Sequence, residues 1–214
     1  SVRSWVPDGK SREKRQFTVG MVGVLARSKG CLDFIKAADV CRQRGFKVHF
    51  SLVGGTLQSE IRWFDRILGV FRLKDDVSYE AFNLITDLKL HEIVKVRPFC
   101  EDLQDVYRSI DVVCFPSFLD APGRPIFEAG FFGVPSIVSI SQPRPDTFLP
   151  EEIGLIARPG DPESLADAIQ RLHDNPHERE RMGLAAREFA RHSFDAKANS
   201  LKVVTLYKSL LSCK

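Results

Sequence analysis

Short runs of apolar residues, each too short for a helix and each set apart by stretches of helical spacing, confine this chain to a narrow set of folds. They fall at residues 17–25 (FTVGMVGVL), 46–53 (FKVHFSLV), 93–97, 111–115 (DVVCF), 134–140 and 153–157. Most are continuously apolar instead of alternating, the pattern of strands buried on both faces of a parallel sheet. Between the first two, Cys31, Leu32, Ile35, Ala38, Val40 and Cys41 recur close to the helical period within 29–44, stopped by Gly45. Strand, helix, strand in so short a span predicts a right-handed βαβ unit. Further helices are expected at 57–71, at 78–90 with Ser78 as its N-cap, at 103–109, and at 125–132, where Gly133 closes the helix. Pro135 sits acceptably at the start of the 134–140 strand, and 141–150 is turn-rich. After the Pro159-Gly160-Asp161 turn, three helices are expected at 162–173, 176–191 and 195–211, with Asp161, Asn175 and Ser193 near their starts. The order implies an α/β fold with a doubly wound, mostly parallel, Rossmann-like sheet and C-terminal helices. Residues 1–16 read as a polar lead-in or linker ahead of one domain at 17–214. There is no internal repeat.

Composition narrows the function. At 214 residues the chain is one domain with an extension. Its 43% hydrophobic and 28% charged residues suffice for a real core. No apolar run approaches the roughly 20 residues of a membrane helix, and the first residues lack a signal-peptide pattern, so a soluble, cytoplasmic chain is expected. A net charge of +3 is too balanced for a dedicated nucleic-acid binder. The basic excess is at the front, where Arg3, Lys10, Arg12, Lys14, Arg15, Arg27 and Lys29 face only Asp8 and Glu13. Five scattered cysteines without C-x-x-C spacing indicate neither a disulfide framework nor a zinc site and suit a reducing compartment. His173 and His177 are four apart, but Pro176 breaks their shared helical face, so no metal role is expected.

In a doubly wound sheet, ligands bind beyond the carboxyl ends of the strands. The loop 23–30 (GVLARSKG) offers glycines for close backbone approach, a helix N-terminus with unpaired N–H groups, and Lys29 as a mobile charge suited to phosphate. It is neither a Walker loop nor a G-x-G-x-x-G fingerprint. The segment 116–129 is more specific. Asp120 and Glu128 bracket a Gly123-Arg124-Pro125 turn between a buried strand and a helix whose first turn is expected to hold Glu128. A carboxylate has two oxygens and four acceptor sites, which suits paired sugar hydroxyls. Gly123 would bring backbone N–H groups to a ligand, and Arg124 could neutralise a diphosphate.

Asp120-x7-Glu128, Gly23 with Lys29-Gly30, Leu52-Val53-Gly54-Gly55, Asp111-Val112-Val113 leading into Pro116-Ser117, and Gly133-Val134-Pro135-Ser136 together resemble the carboxyl-terminal, donor-binding domain of glycosyltransferase family 4. These are retaining transferases of the GT-B fold, and the resemblance runs over about residues 17–211. It implies that Lys29 contacts the donor diphosphate and that Glu128 holds the ribose hydroxyls. Asp120 stands where the family's first glutamate lies near the donor sugar. Gly23, Pro122, Gly123 and Arg124 line the donor site, and Phe99 and Cys100 flank the base. The donor is a nucleotide-diphosphate sugar, used without an obligatory metal. Catalysis, resting on Lys29, Asp120 and Glu128, stabilises the departing diphosphate, with Asp120 not acting as a glycosidase-type nucleophile. The partner is an amino-terminal domain that supplies the acceptor site, and this chain alone is expected to be inactive. A lipid-linked or envelope acceptor, as in polysaccharide biosynthesis, would leave room for peripheral association with the inner face of the cytoplasmic membrane.

The sequence departs from the family pattern at three places. Val24 stands where many relatives carry an arginine, which leaves Arg27 or Arg124 as substitutes. Asp120 is one methylene shorter than the usual glutamate. Pro98-Phe99 replaces an expected glycine. Two other readings stay open on the residues alone. One is a nucleotide-sugar epimerase, for which the histidines lie outside the proposed loops. The other is a noncatalytic nucleotide-binding module, with Phe131-Phe132 and residues 57–92 as a partner surface, though aromatics at helical spacing usually bury.

Overall fold

The computed structural model describes residues 16–57, 76–100, 102–194 and 196–212. The strands are β1 (Thr18–Val22), β2 (His49–Val53), β3 (Val94–Arg97), β4 (Val112–Phe115), β5 (Ser136–Val138) and β6 (Gly154–Ile156). They form one six-stranded sheet in the order β3-β2-β1-β4-β5-β6, and every pairing is parallel. This is the expected doubly wound sheet, parallel throughout. The helices are α1 (Cys31–Gln43), α2 (Ser78–Asp87), α3 (Gln104–Ser109), α4 (Arg124–Phe131), α5 (Pro162–Asp174), α6 (Pro176–Ser193) and α7 (Ala196–Ser212). A 3-10 turn, Arg27–Lys29, precedes α1.

Alternation along each strand divides the core between two faces. Met21, Leu52, Val112 and Cys114 pack with Phe34, Ile35, Phe50 and Leu165 on the face covered by α1, α2 and α5. Val22, Val53 and Val113 pack with Tyr107, Ala129 and Phe132 on the face of α3 and α4. Full burial of a Val, Leu, Ile, Phe or Met side chain such as Met21, Leu52 or Val113 contributes about 1.5–3 kcal/mol over its exposed state. Asp111 sets the start of β4 against β1, because its carboxylate accepts from the Thr18 N–H at 2.8 Å while its own N–H donates to the Thr18 carbonyl at 2.7 Å. Cys31 and Cys41 are free and buried, and loss of hydration pushes both thiols up to about 12, which leaves them unreactive.

Several boundaries differ from expectation for local reasons. Ser78 does not cap α2: Val77 holds that position, and the Ser78 N–H and hydroxyl both donate to the Asp76 carboxylate. Ser193 ends α6 and does not open α7. Asp161 does cap α5, accepting from the Ser164 N–H at 3.0 Å. Residues 58–71 of the helix expected at 57–71, and residues 1–15 of the lead-in expected at 1–16, lie outside the described residues. Phe132 belongs to the core, so it offers no partner surface.

Candidate functional site

Because the strands run in the order β3-β2-β1-β4-β5-β6, successive connections leave β1 toward one edge and β4 toward the other. Loops after β1 and β4 therefore flank the point where the strand order reverses, at the carboxyl end of the sheet, the place where doubly wound folds take ligands. The segments 23–30 and 116–123 are these two loops.

Backbone contacts lace them together. The Ser28 carbonyl accepts from the Phe118 N–H at 2.9 Å and from the Ser117 hydroxyl at 3.0 Å. Gly30 adopts a left-handed φ of 73°, and a Cβ there would run into the Pro116 carbonyl. Glycine is thus required at Gly30 for conformation and for space together. Its turn places Lys29 so that the amine lies 5.4 Å from the centre of the Phe115 ring, a cation–π contact at the end of β4. Gly123, which caps α4, rests against the same Phe115 ring so closely that a Cβ would collide with it. Lys29 and the N-terminus of α4 thus meet at one aromatic ring.

Glu128 is the fifth residue of α4, not in its first turn as the sequence suggested, so it is past the reach of the helix terminus. Its carboxylate is held by side chains instead. The Tyr107 hydroxyl donates to Glu128 Oε2 at 2.6 Å, and Arg124 Nε pairs with Oε1 at 2.9 Å across one helical turn. Glu128 is 25% exposed and Arg124 81% exposed, so the pair opens to solvent on the arginine side. Burial, and after it the neighbouring carboxylate, push the Tyr107 phenol far above its ordinary value, which keeps it a donor.

Asp120 lies at the other flank. Ser141, beyond β5, donates its N–H to Asp120 Oδ1 and its hydroxyl to Oδ2, both at 2.7 Å. These bonds, the hydroxyl first, lower the Asp120 carboxyl below its ordinary value despite its exposure. Of the two cations offered as substitutes for Val24, Arg27 is already committed. Its guanidinium grips both Glu80 oxygens at 2.5 and 2.7 Å on α2, toward the β2 side. Phe99, past β3, is 68% exposed. Cys100 packs against the cluster that holds Tyr107, while its thiol donates to the Asp102 carbonyl at 3.4 Å within its own loop. Pro122 lies between Asp120 and the Gly123 cap. Gly23, at a φ of 149°, leaves open space where a Cβ would stand, and its backbone is approached closely by Gly54. A cleft of about 470 Å³ opens beside it, lined by Val24, Ala26, Gly54, Thr56 and Asp76 among others. Its lining includes neither Asp120 nor Glu128.

Of the residues singled out in the sequence, the structure sets Lys29 and Gly123 against one ring and pairs Arg124 with Glu128, while the side chains that hold Glu128, Asp120 and Arg27, namely Tyr107, Ser141 and Glu80, were not singled out. A tyrosine inside the amphipathic pattern of 103–109 signals only that its hydroxyl must find some partner once buried.

Residues 6–189 match the family described as glycosyl transferases group 1. A D-inositol 3-phosphate glycosyltransferase of Paenarthrobacter aurescens (strain TC1) is 27% identical, the match covering 95% of this chain and 48% of that protein. Among solved structures, sucrose-phosphate synthase from Thermosynechococcus elongatus superposes with a TM-score of 0.77 at 26% identity, over 93% of this chain and 46% of the other. Anabaena HepE, solved in complex with UDP and glucose, gives 0.73 at 24% identity, over 90% and 48% respectively, a likeness of fold. The chain spans about half the length of each of these three proteins.

Proposed function

The chain belongs to the glycosyl transferases group 1 family, and from that membership we propose that it is the donor-binding half of a retaining, family 4 transferase. In this reading it holds a nucleotide-diphosphate sugar, and an amino-terminal domain of the same enzyme supplies the acceptor, a lipid-linked or envelope glycan. The observation that supports the reading is that Lys29 and the Gly123 cap of α4 both rest against the Phe115 ring at the end of β4, with Asp120 in the same loop as Gly123 and Glu128 one turn along α4.

Each residue then has a task. Lys29 faces the diphosphate, and Arg124, exposed on the rim, adds the second charge that Val24 lacks. Glu128 accepts from the ribose hydroxyls and Asp120 from the donor sugar. The backbone of Gly23 and of 122–123 lies along the diphosphate and sugar, while Phe99 and Cys100 flank the base. As the bond from the sugar to the diphosphate breaks, negative charge grows on the departing oxygen. Lys29 and the fixed N–H groups at the loop ends stabilise that charge without reorganising, an effect worth about 2.7–4 kcal/mol per donor. The product keeps its anomeric configuration.

Calorimetric titration of this chain with nucleoside diphosphates and their sugars tests the proposal. One base is expected to bind, with affinity about tenfold weaker or more in Glu128→Ala. Equal affinity in parent and variant would remove Glu128 from the ribose. Nucleotide binding without any sugar preference, in a protein that carries both halves, would favour a noncatalytic module instead.

A further inference from the structure

The Tyr107–Glu128 contact carries more than the burial of a phenol. Tyr107 is fully buried in α3 and stacks on Phe132, the C-cap just after α4, with ring centres 5.7 Å apart. A tyrosine has only two rotatable side-chain bonds, so this packing fixes where its hydroxyl points. The hydroxyl meets Glu128 Oε2, and Arg124 meets the other oxygen, Oε1. An ionised carboxylate offers about four acceptor sites, two on each oxygen. With one site on each oxygen already filled, one remains on each, and the plane of the carboxylate is fixed between its two donors.

We propose that Tyr107 is a positioning residue for nucleotide recognition: with Arg124 it clamps Glu128 so that the remaining acceptor site on each carboxylate oxygen takes one hydroxyl of a vicinal diol. The inference rests on the reading of Glu128 as the ribose acceptor and deepens it. It assigns the discrimination between a ribonucleotide and its deoxy analogues to a three-residue unit drawn from α3 and α4. Without the phenol, the carboxylate loses one of the two donors that fix its plane, and the match to two adjacent hydroxyls is loosened. The substitution Tyr107→Phe keeps the aromatic ring and its stacking on Phe132, so it removes little besides the donor.

The test compares UDP, 2′-deoxy-UDP and 3′-deoxy-UDP by calorimetry on this chain in four forms: parent, Glu128→Ala, Tyr107→Phe and Arg124→Ala. The parent is expected to prefer UDP over each deoxy analogue by about tenfold, the scale of one hydrogen bond to a charged group. Glu128→Ala should abolish the preference. Tyr107→Phe should weaken UDP about 3- to 10-fold and cut the preference below about threefold, while melting within a few degrees of the parent. Arg124→Ala should likewise reduce the preference, beyond any equal weakening of all three ligands through the phosphates. A purely structural tyrosine would lower the melting temperature and leave the ribo-to-deoxy ratio unchanged. That ratio, retained in Tyr107→Phe or in Arg124→Ala, overturns the clamp while leaving Glu128 on the ribose. A Tyr107→Phe chain that fails to fold overturns it also, in favour of the structural role. A parent with no preference, or one whose preference survives Glu128→Ala, overturns the ribose reading itself, and a parent that binds none of the three overturns both.

Discussion

At the scale of single residues, what could be read from the sequence was whatever chemistry travels in one short segment. Asp120, Gly123, Arg124 and Glu128 lie in one loop and one helix, so their spacing is meaningful before folding. Their partners were hidden because the pairings cross the chain: Tyr107 and Ser141 each stand 21 positions from the carboxylate they bind, and Glu80 stands 53 from Arg27. Those partners decide which charge is available. Arg27→Ala should leave diphosphate affinity within about twofold, since its guanidinium is turned to Glu80 on α2, whereas Arg124, 81% exposed and paired with Glu128 through Nε, keeps its outer N–H groups for a phosphate, so Arg124→Ala should cost about tenfold, the scale of a charged hydrogen bond. Titration calorimetry of the two variants checks the contrast, and equal losses would contradict it. Ser141 makes a second prediction. Its two donors favour ionised Asp120, so the folded carboxyl titrates below the ordinary value of 3.8. The resulting stabilisation is present above that value and lost as the pH falls through the lowered folded one. Ser141→Ala removes the hydroxyl and keeps the N–H, and should move the titration of Asp120 part of the way back up. Carboxyl chemical shifts followed against pH would show it; an unmoved midpoint would mean that the hydroxyl does not hold the carboxylate in solution.

At the scale of elements, the apolar runs and stop signals gave the strands and helices, but their lengths answer to neighbours. The strand expected over 134–140 shrinks to Ser136–Val138 because Pro135 has no N–H to give the ladder and the Ser139 N–H reaches the Phe115 carbonyl only at 3.4 Å. The glycine before α1 was legible as a tight turn. Its crowding against the loop after β4 was not, since that loop is remote in sequence. Gly45 at the end of α1 provides a matched comparison, as its φ of 80° is also left-handed but a Cβ there meets nothing within 4 Å. Gly45→Ala should therefore cost only the backbone strain, about 1–2 kcal/mol. Gly30→Ala should cost about 1–3 kcal/mol more, because the Pro116 carbonyl must also move. Urea denaturation of both variants measures the difference. Gly30→Ala should in addition weaken nucleotide binding, since the same displacement separates Lys29 from the Phe115 ring, and equal stability of the two variants would show that the loops are not packed as described.

At the scale of the whole molecule, continuous apolar runs implied a parallel sheet, yet nothing in them says which strand neighbours which; that order emerges only when helices cover both faces. The last helix shows where the body of the fold ends. Leu201, Val203, Val204, Leu206, Tyr207, Leu210 and Leu211 of α7 are all between 48% and 75% exposed. Val203, Val204, Tyr207, Leu210 and Leu211 recur at helical spacing, so they form an apolar stripe along one face. A core helix of this composition would bury such a stripe, as α5 buries Leu165, Ile169 and Leu172. Here the face beside β5 and β6 is already covered by α5 and α6, and Phe194, just ahead of α7, stacks on Phe127 with ring centres 3.8 Å apart. Ending the chain after Phe194 should therefore change unfolding free energy little, by less than the roughly 1.5–3 kcal/mol of one fully buried apolar side chain, because the stripe it removes stays largely exposed. It should also remove exposed apolar area of the kind that drives self-association. Urea denaturation and sedimentation of the shortened chain test both expectations together. A loss of several kcal/mol would mean that α7 folds back over the body in solution, and the stripe would then belong to the same core as Phe194.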